Sequence, residues 1–167
     1  MEIINVQTLY PIIKGRSYKL RSKSDIKDIM IHHSGSNRLT VADLYKLHTD
    51  TLHKWATIGY HFYITKTGTI YQVNDIFTVV NGCQDRNTRV IHICFEGDYN
   101  KDIIMDYHKK CLDFILQWLL DKRFSLNITW HAQYKNTYCP GTNMIQFIKA
   151  YIKLKNTQSQ LIWPELE

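Results

Sequence analysis

Two short apolar runs, far apart in the chain, each lead into a histidine. The first is Ile29-Met30-Ile31-His32-His33, broken by Ser34-Gly35-Ser36-Asn37. The second, Asn127-Ile128-Thr129-Trp130-His131, is followed eight residues later by Cys139, with Pro140-Gly141 turning the chain behind it. Both read as strands. Side chains alternate in direction along a strand, so only one of His32 and His33 can face the same point as His131 and Cys139. A fold that joins these strand ends makes a site of imidazole and thiol donors. Zinc accepts both, and three protein ligands leave a fourth position for water, as in catalytic rather than structural sites. A bound ion would also hold Cys139 as thiolate. The first expectation is a hydrolase.

The rest of the chain supplies elements to bring those ends together. Lys27 to His33 reads as a strand. Thr40 can cap a helix from Val41 to about His53, with Val41, Leu44, Leu47, His48 and Leu52 at helical spacing. Tyr60–Lys66 and Thr69–Val73 flank Thr67-Gly68 as a hairpin would. Val90–Phe95 is apolar almost throughout, the pattern of a strand buried on both faces. From Asp102 to about Asp121, Ile104, Tyr107, His108, Cys111, Leu112, Ile115, Trp118 and Leu119 form one helical stripe. Thr142 or Asn143 caps a last helix, with Met144, Phe147, Ile148, Tyr151 and Ile152 inward. Strands mixed with such helices predict an α/β (α+β mixed) single domain. Its central mixed sheet would have about five or six strands, covered by three main helices. Residues 1–26 would be a basic segment on the domain surface, 27–155 the domain carrying the site, and 156–167 a polar, loosely held tail.

Composition narrows the partners. The formal net charge is +6, with cations concentrated in Lys14–Lys23 and Lys149–Lys155. Such a surface suits anionic wall polymers or nucleic acid, or is simply a solvated face. The chain has no Gly-rich phosphate loop and no aromatic-basic strand motif, which argues against nucleic acid. No stretch approaches the ~20 apolar residues of a membrane span. The start lacks a basic, then apolar, leader, so synthesis in the cytoplasm is expected, and a substrate outside the cell would need something else to release the protein. The four cysteines form no CxxC pair and are expected as free thiols, Cys94 and Cys111 as small core residues.

The set of motifs resembles the zinc N-acetylmuramoyl-L-alanine amidases, the superfamily of phage lysozyme-type amidases and peptidoglycan-recognition proteins. The resemblance rests on His32-His33-Ser34, on His48 through Trp55 to Gly59-Tyr60-His61-Phe62 and Gly68, and on His131 to Cys139-Pro140-Gly141. It spans Ile29 to Tyr151, most of the chain. It implies one zinc per chain, held by His32, His131 and Cys139. It implies Tyr60 and Thr137 as catalytic hydrogen-bond donors to the water or the oxyanion, with His33, Ser34, Trp55 and His61 as candidate groove residues. The implied reaction cleaves the amide between N-acetylmuramic acid and L-alanine of peptidoglycan, as a small, monomeric endolysin would. Non-catalytic recognition proteins typically lose the Cys ligand, which this chain keeps. The segment Val80–Asn87 is shorter than the family's loop and lacks the His that usually follows its Gly.

Other readings stand beside these. The chain could bind peptidoglycan without cleaving it, or act as a basic regulator binding nucleic acid or protein. Tyr60 could be an ordinary half-buried strand residue. His61 and His92 could be structural, and His48, His53 and His108 could pack or lie in solvent. Trp55 and Trp130 could line a groove or fill the core.

Overall fold

Val90–Phe95 forms the strand on which the molecule is built. In the computed structural model, which describes residues 1–51 and 53–162, all six of its residues are fully buried. The strands are β1 (Ile3–Asn5), β2 (Asp28–His33), β3 (Phe62–Ile64), β4 (Ile70–Gln72), β5 (Val90–Phe95) and β6 (Asn127–Trp130). They form one six-stranded sheet in the order β1-β4-β3-β5-β2-β6. Only the β3–β4 hairpin is antiparallel among the named pairings. β2 and β5 pair along their whole length, from Asp28↔Val90 to His33↔Phe95. A strand between parallel neighbours, covered on both faces, has no solvent side to make polar, which explains its unbroken apolar pattern.

The helices are α1 (Val41–Lys46), α2 (Asp106–Asp121) and α3 (Thr142–Ile162). One sheet face, through Ile29, Ile31, Ile91, Ile93 and Phe95, packs on Cys111, Leu112, Ile115 and Leu119 of α2 and on Met144, Ile148 and Tyr151 of α3. On the other, Tyr63 and Cys94 meet Val41, Leu44 and Ile58. The expected mixed sheet with three helices is therefore present.

Several boundaries differ from the sequence reading. α1 stops at Lys46, and Leu47–Thr51 is a π-helical turn. There the Thr49 hydroxyl donates to Tyr45 O, and the carbonyl of His48 accepts from Trp55 N. α2 begins at Asp106 and not Asp102, whose carboxylate accepts from Asp98 N and pairs with Lys66 in the preceding loop. α3 continues through Ile162, so 156–162 is helical; 163–167, like Leu52, lies outside the described residues. β1 was not expected: its three residues carry no periodicity, and only the pairing Ile3↔Ile70 to Asn5↔Gln72 defines it.

Arg21 also departs from expectation. It was counted with the basic surface, but it is 6% exposed. Its guanidinium donates to the carbonyls of Ile76, Asn87, Thr88 and Val90. Burial lowers its pKa to about 10, against a smaller opposing pull from Asp25 and Asp75, so it stays charged at neutral pH. It clamps the 76–90 loop and offers nothing to a surface polyanion.

Candidate metal centre

Parallel pairing of β6 with β2 aligns Ile31 with Trp130, so the chain leaves both strands at the same end of the sheet. His32 lies near the end of β2, and His131 opens a short 3-10 turn directly after β6. The loop then folds back. Ala132 N donates to Cys139 O, and Gly141 N to Tyr138 O. Gly141 has φ +92°, and a Cβ there would lie 2.4 Å from the Tyr99 carbonyl carbon, so this turn requires glycine. The ligand atoms of His32, His131 and Cys139 all fall within 4.8 Å of one another. The rings of His32 and His131 are 4.7 Å apart, and Cys139 Sγ is 3.6 Å from His32 Nδ1. His33 turns aside: its Nδ1 accepts from Tyr99 N at 3.3 Å.

The electrostatics suit neutral donors awaiting a cation. Burial, reinforced by nearby His131, holds His32 well below the usual imidazole range. Burial, then Lys135, lowers His131 as well. Both rings are therefore neutral near pH 7, the form that could ligate a metal. Burial pushes the Cys139 thiol up to about 12, so a metal ion would be needed to make it a thiolate. No carboxylate belongs to the cluster, and borderline-soft N and S donors fit a transition metal, not calcium or magnesium. These residues could hold one metal ion.

The remaining candidates separate into neighbours of the cluster and residues occupied elsewhere. The Tyr60 ring lies 5.0 Å from that of His32. Burial, then nearby Cys94, raises its pKa well above 10, keeping the phenol a donor. Thr137 Oγ1 accepts from Cys139 N at 3.2 Å, which keeps that hydroxyl near the thiol and leaves its proton to donate. Trp55 stacks on His53 at 4.1 Å and meets His48, which reaches Tyr60 at 5.6 Å. A Cβ at Gly59 would lie 2.6 Å from the Trp55 ring, so the glycine admits that indole. Ser34 Oγ donates to Ser36 O and accepts from Gly97 N, tying the loop after β2.

His61 is a correction. It is wholly buried, so it does not line an open groove. Its Nδ1 accepts from His92 N, its Nε2 faces Thr78 O at 2.9 Å, and burial lowers its pKa to about 3. The sequence reading gave His92 a packing role. It is buried, but its Nδ1 also lies 3.0 Å from His32 Nε2. Only the β2–β5 register, which puts Met30 opposite His92 and His32 opposite Cys94, brings that ring to the site's face. A cleft of about 510 Å³ between α2, α3 and β6 holds none of these residues.

A mixed sheet that converges two imidazoles and a thiol at one end, beside a half-buried tyrosine, defines an α/β protein with a candidate transition-metal centre. Comparison with known proteins gives the family: the chain belongs to the N-acetylmuramoyl-L-alanine amidases, whose sequence profile it matches over residues 22–142. The superfamily is that of the amidase endolysins and peptidoglycan-recognition proteins. Among solved structures it is similar to the endolysin N-acetylmuramoyl-L-alanine amidase LysCS of Clostridium intestinale, at 27% identity, covering 91% of this chain and 95% of that one, with a TM-score of 0.75. Peptidoglycan-recognition protein SC2 of Drosophila simulans is 25% identical over 137 residues, 75% of this chain and 74% of the relative. The ectodomain complex of recognition proteins LCa and LCx, solved with tracheal cytotoxin bound, shares the fold with a TM-score of 0.79 at 20% identity, covering 89% of this chain and 95% of that one.

Proposed function

We propose that the protein is a zinc-dependent amidase that cleaves the bond between the lactyl group of N-acetylmuramic acid and L-alanine of the peptidoglycan stem. The observation that carries the reading is the convergence of His32, His131 and Cys139 within 4.8 Å, in a chain of the amidase family. In this reading those residues hold the ion, and zinc supplies Lewis-acid activation of a water and of the scissile carbonyl. Tyr60, kept protonated by burial, donates a hydrogen bond where negative charge develops on the carbonyl oxygen. The Thr137 hydroxyl serves the same end from the Cys139 side. Trp55, backed by the buried His48, extends from Tyr60 as an aromatic wall for the substrate. Exposed Lys14, Lys19 and Lys23 would attract anionic wall polymers, without Arg21. The protein would act as a monomer on the wall after release from the cytoplasm.

The recognition-protein relative favours a second reading, in which the site binds peptidoglycan and leaves it intact. One experiment decides. Purified walls are digested, and the soluble products are analysed by mass spectrometry with and without prior chelation. Free stem peptides beginning with L-alanine, lost on chelation and regained with zinc, support the amidase. Walls that are bound but release no peptide support the recognition module.

A further inference from the structure

His92 is a buried imidazole that the proposed chemistry leaves unused. It sits in the middle of β5, fully buried, with its Nδ1 3.0 Å from His32 Nε2. The other nitrogen of His32, Nδ1, is the one 3.6 Å from Cys139 Sγ. A neutral imidazole carries a single ring proton. If His32 presents Nδ1 to an ion, its proton is on Nε2, and the atom it meets must accept. That atom is His92 Nδ1, so the proton of His92 is on Nε2. Among the described residues, His92 Nε2 is the buried side-chain nitrogen with no hydrogen-bond partner. The opposite arrangement leaves the same atom unpaired and also puts the His32 proton on Nδ1, where it blocks ligation. An unpaired buried polar atom is destabilising, so packing alone does not favour a histidine here. The surroundings are shaped to the ring. A Cβ at Gly82 would lie 2.5 Å from His92 Nδ1, and the His61 ring lies parallel to it at 5.7 Å.

We propose that His92 is a positioning residue that fixes His32 as its Nε2–H tautomer and so aims the bare Nδ1 at the metal. The proposal rests on the zinc reading above. Ligating histidines are commonly held this way, and loss of such a partner weakens metal binding by about 10–100-fold.

The test measures zinc affinity by competition with a chromophoric chelator, alongside thermal unfolding of the metal-free proteins. His92→Phe keeps a planar ring, somewhat larger than imidazole, and removes both the acceptor and the orphan N–H. It should bind zinc about 10–100-fold more weakly; because it exchanges the orphan on His92 for one on His32 Nε2, the metal-free protein should unfold near the wild-type temperature. His92→Asn returns an acceptor oxygen near the Nδ1 position and should recover most of the affinity. In the zinc-loaded wild type, 15N shifts should show His92 protonated on Nε2. Wild-type affinity in His92→Phe, or a His92 protonated on Nδ1, overturns the proposal; the NMR result stands even if a variant fails to fold. A wild type that takes up no zinc overturns the zinc reading and this proposal together. Normal zinc uptake and wall cleavage with an unaffected His92→Phe overturns the positioning role alone.

Discussion

β2 and β5 carry two different kinds of interior on their opposite faces. Toward α2 and α3 they present Ile29, Ile31, Ile91, Ile93 and Phe95, and toward the other side Met30, His32, His92 and Cys94. Both sets are fully buried, so burial does not distinguish them. The helix-side face needs only volume, because apolar atoms gain from leaving water whatever their exact partners. The opposite face needs direction: each ring nitrogen must meet a donor, an acceptor or an ion, and His92 Nε2 meets none. One face accounts for stability, and the other carries a polar cost best explained by a site.

The sharpest way to break this contrast is at the ion. Cys139→Ala should reduce zinc content and wall hydrolysis to background, while the urea midpoint of the metal-free protein stays near that of the wild type. Undiminished zinc by elemental analysis would remove Cys139 from the ligand set. On the other face, Ile93→Ala should cost about 2–5 kcal/mol of folding free energy, because the close-packed site between the sheet and its helices relaxes only in part. Zinc per folded molecule should not change. Urea denaturation and metal analysis on one sample check both halves. Tyr60→Phe then sharpens the comparison within the polar face. It removes a hydroxyl and little volume, so zinc and stability should hold while kcat falls about 10²-fold. An unchanged kcat would return Tyr60 to a packing role.

The same division explains how much could be read in advance. The apolar face is a property of pattern, so β2, β5 and the stripe of α2 were visible in residue order, as was the hairpin at Thr67-Gly68. His131, Cys139 and the His32–His33 pair were legible because strand ends and a Pro-Gly turn announce themselves locally, while the choice of His32 within the pair came from the family resemblance. What was hidden depends on register. Nothing near His92 in sequence says that its ring meets His32, sixty residues away. Nothing near Arg21 says that its guanidinium will be spent on the carbonyls of a distant loop. β1 was invisible for the same reason: Ile3–Asn5 is a strand because β4 offers it an edge. α1 was overestimated because its helical spacing continues past Lys46, where hydrogen bonds from the His48–Trp55 segment redirect the backbone.

The smallest expected effect lies outside both faces, where α2 meets α3, and tests whether polar contacts there resemble those of the site. Asp113 accepts from Lys109 at 2.7 Å, from Tyr151 Oη at 2.6 Å, and pairs with Lys155 at 2.8 Å. Burial pushes its pKa up, but the bonds from Lys109, Lys155 and Tyr151 outweigh it and bring the pKa down to about 2. A folded pKa below the unfolded value near ~3.9 means stabilisation that is present above about pH 4 and lost as pH falls through about 2. With the side chain 30% exposed, water and salt screen the pair, so the contribution is on the order of 1 kcal/mol. Asp113→Asn should therefore lower the urea midpoint slightly at pH 6, converge with wild type near pH 2, and leave zinc content alone. A difference that persists undiminished at pH 2 would assign the effect to packing and not to charge. The helix layer would then be held by volume alone, like the sheet face beneath it.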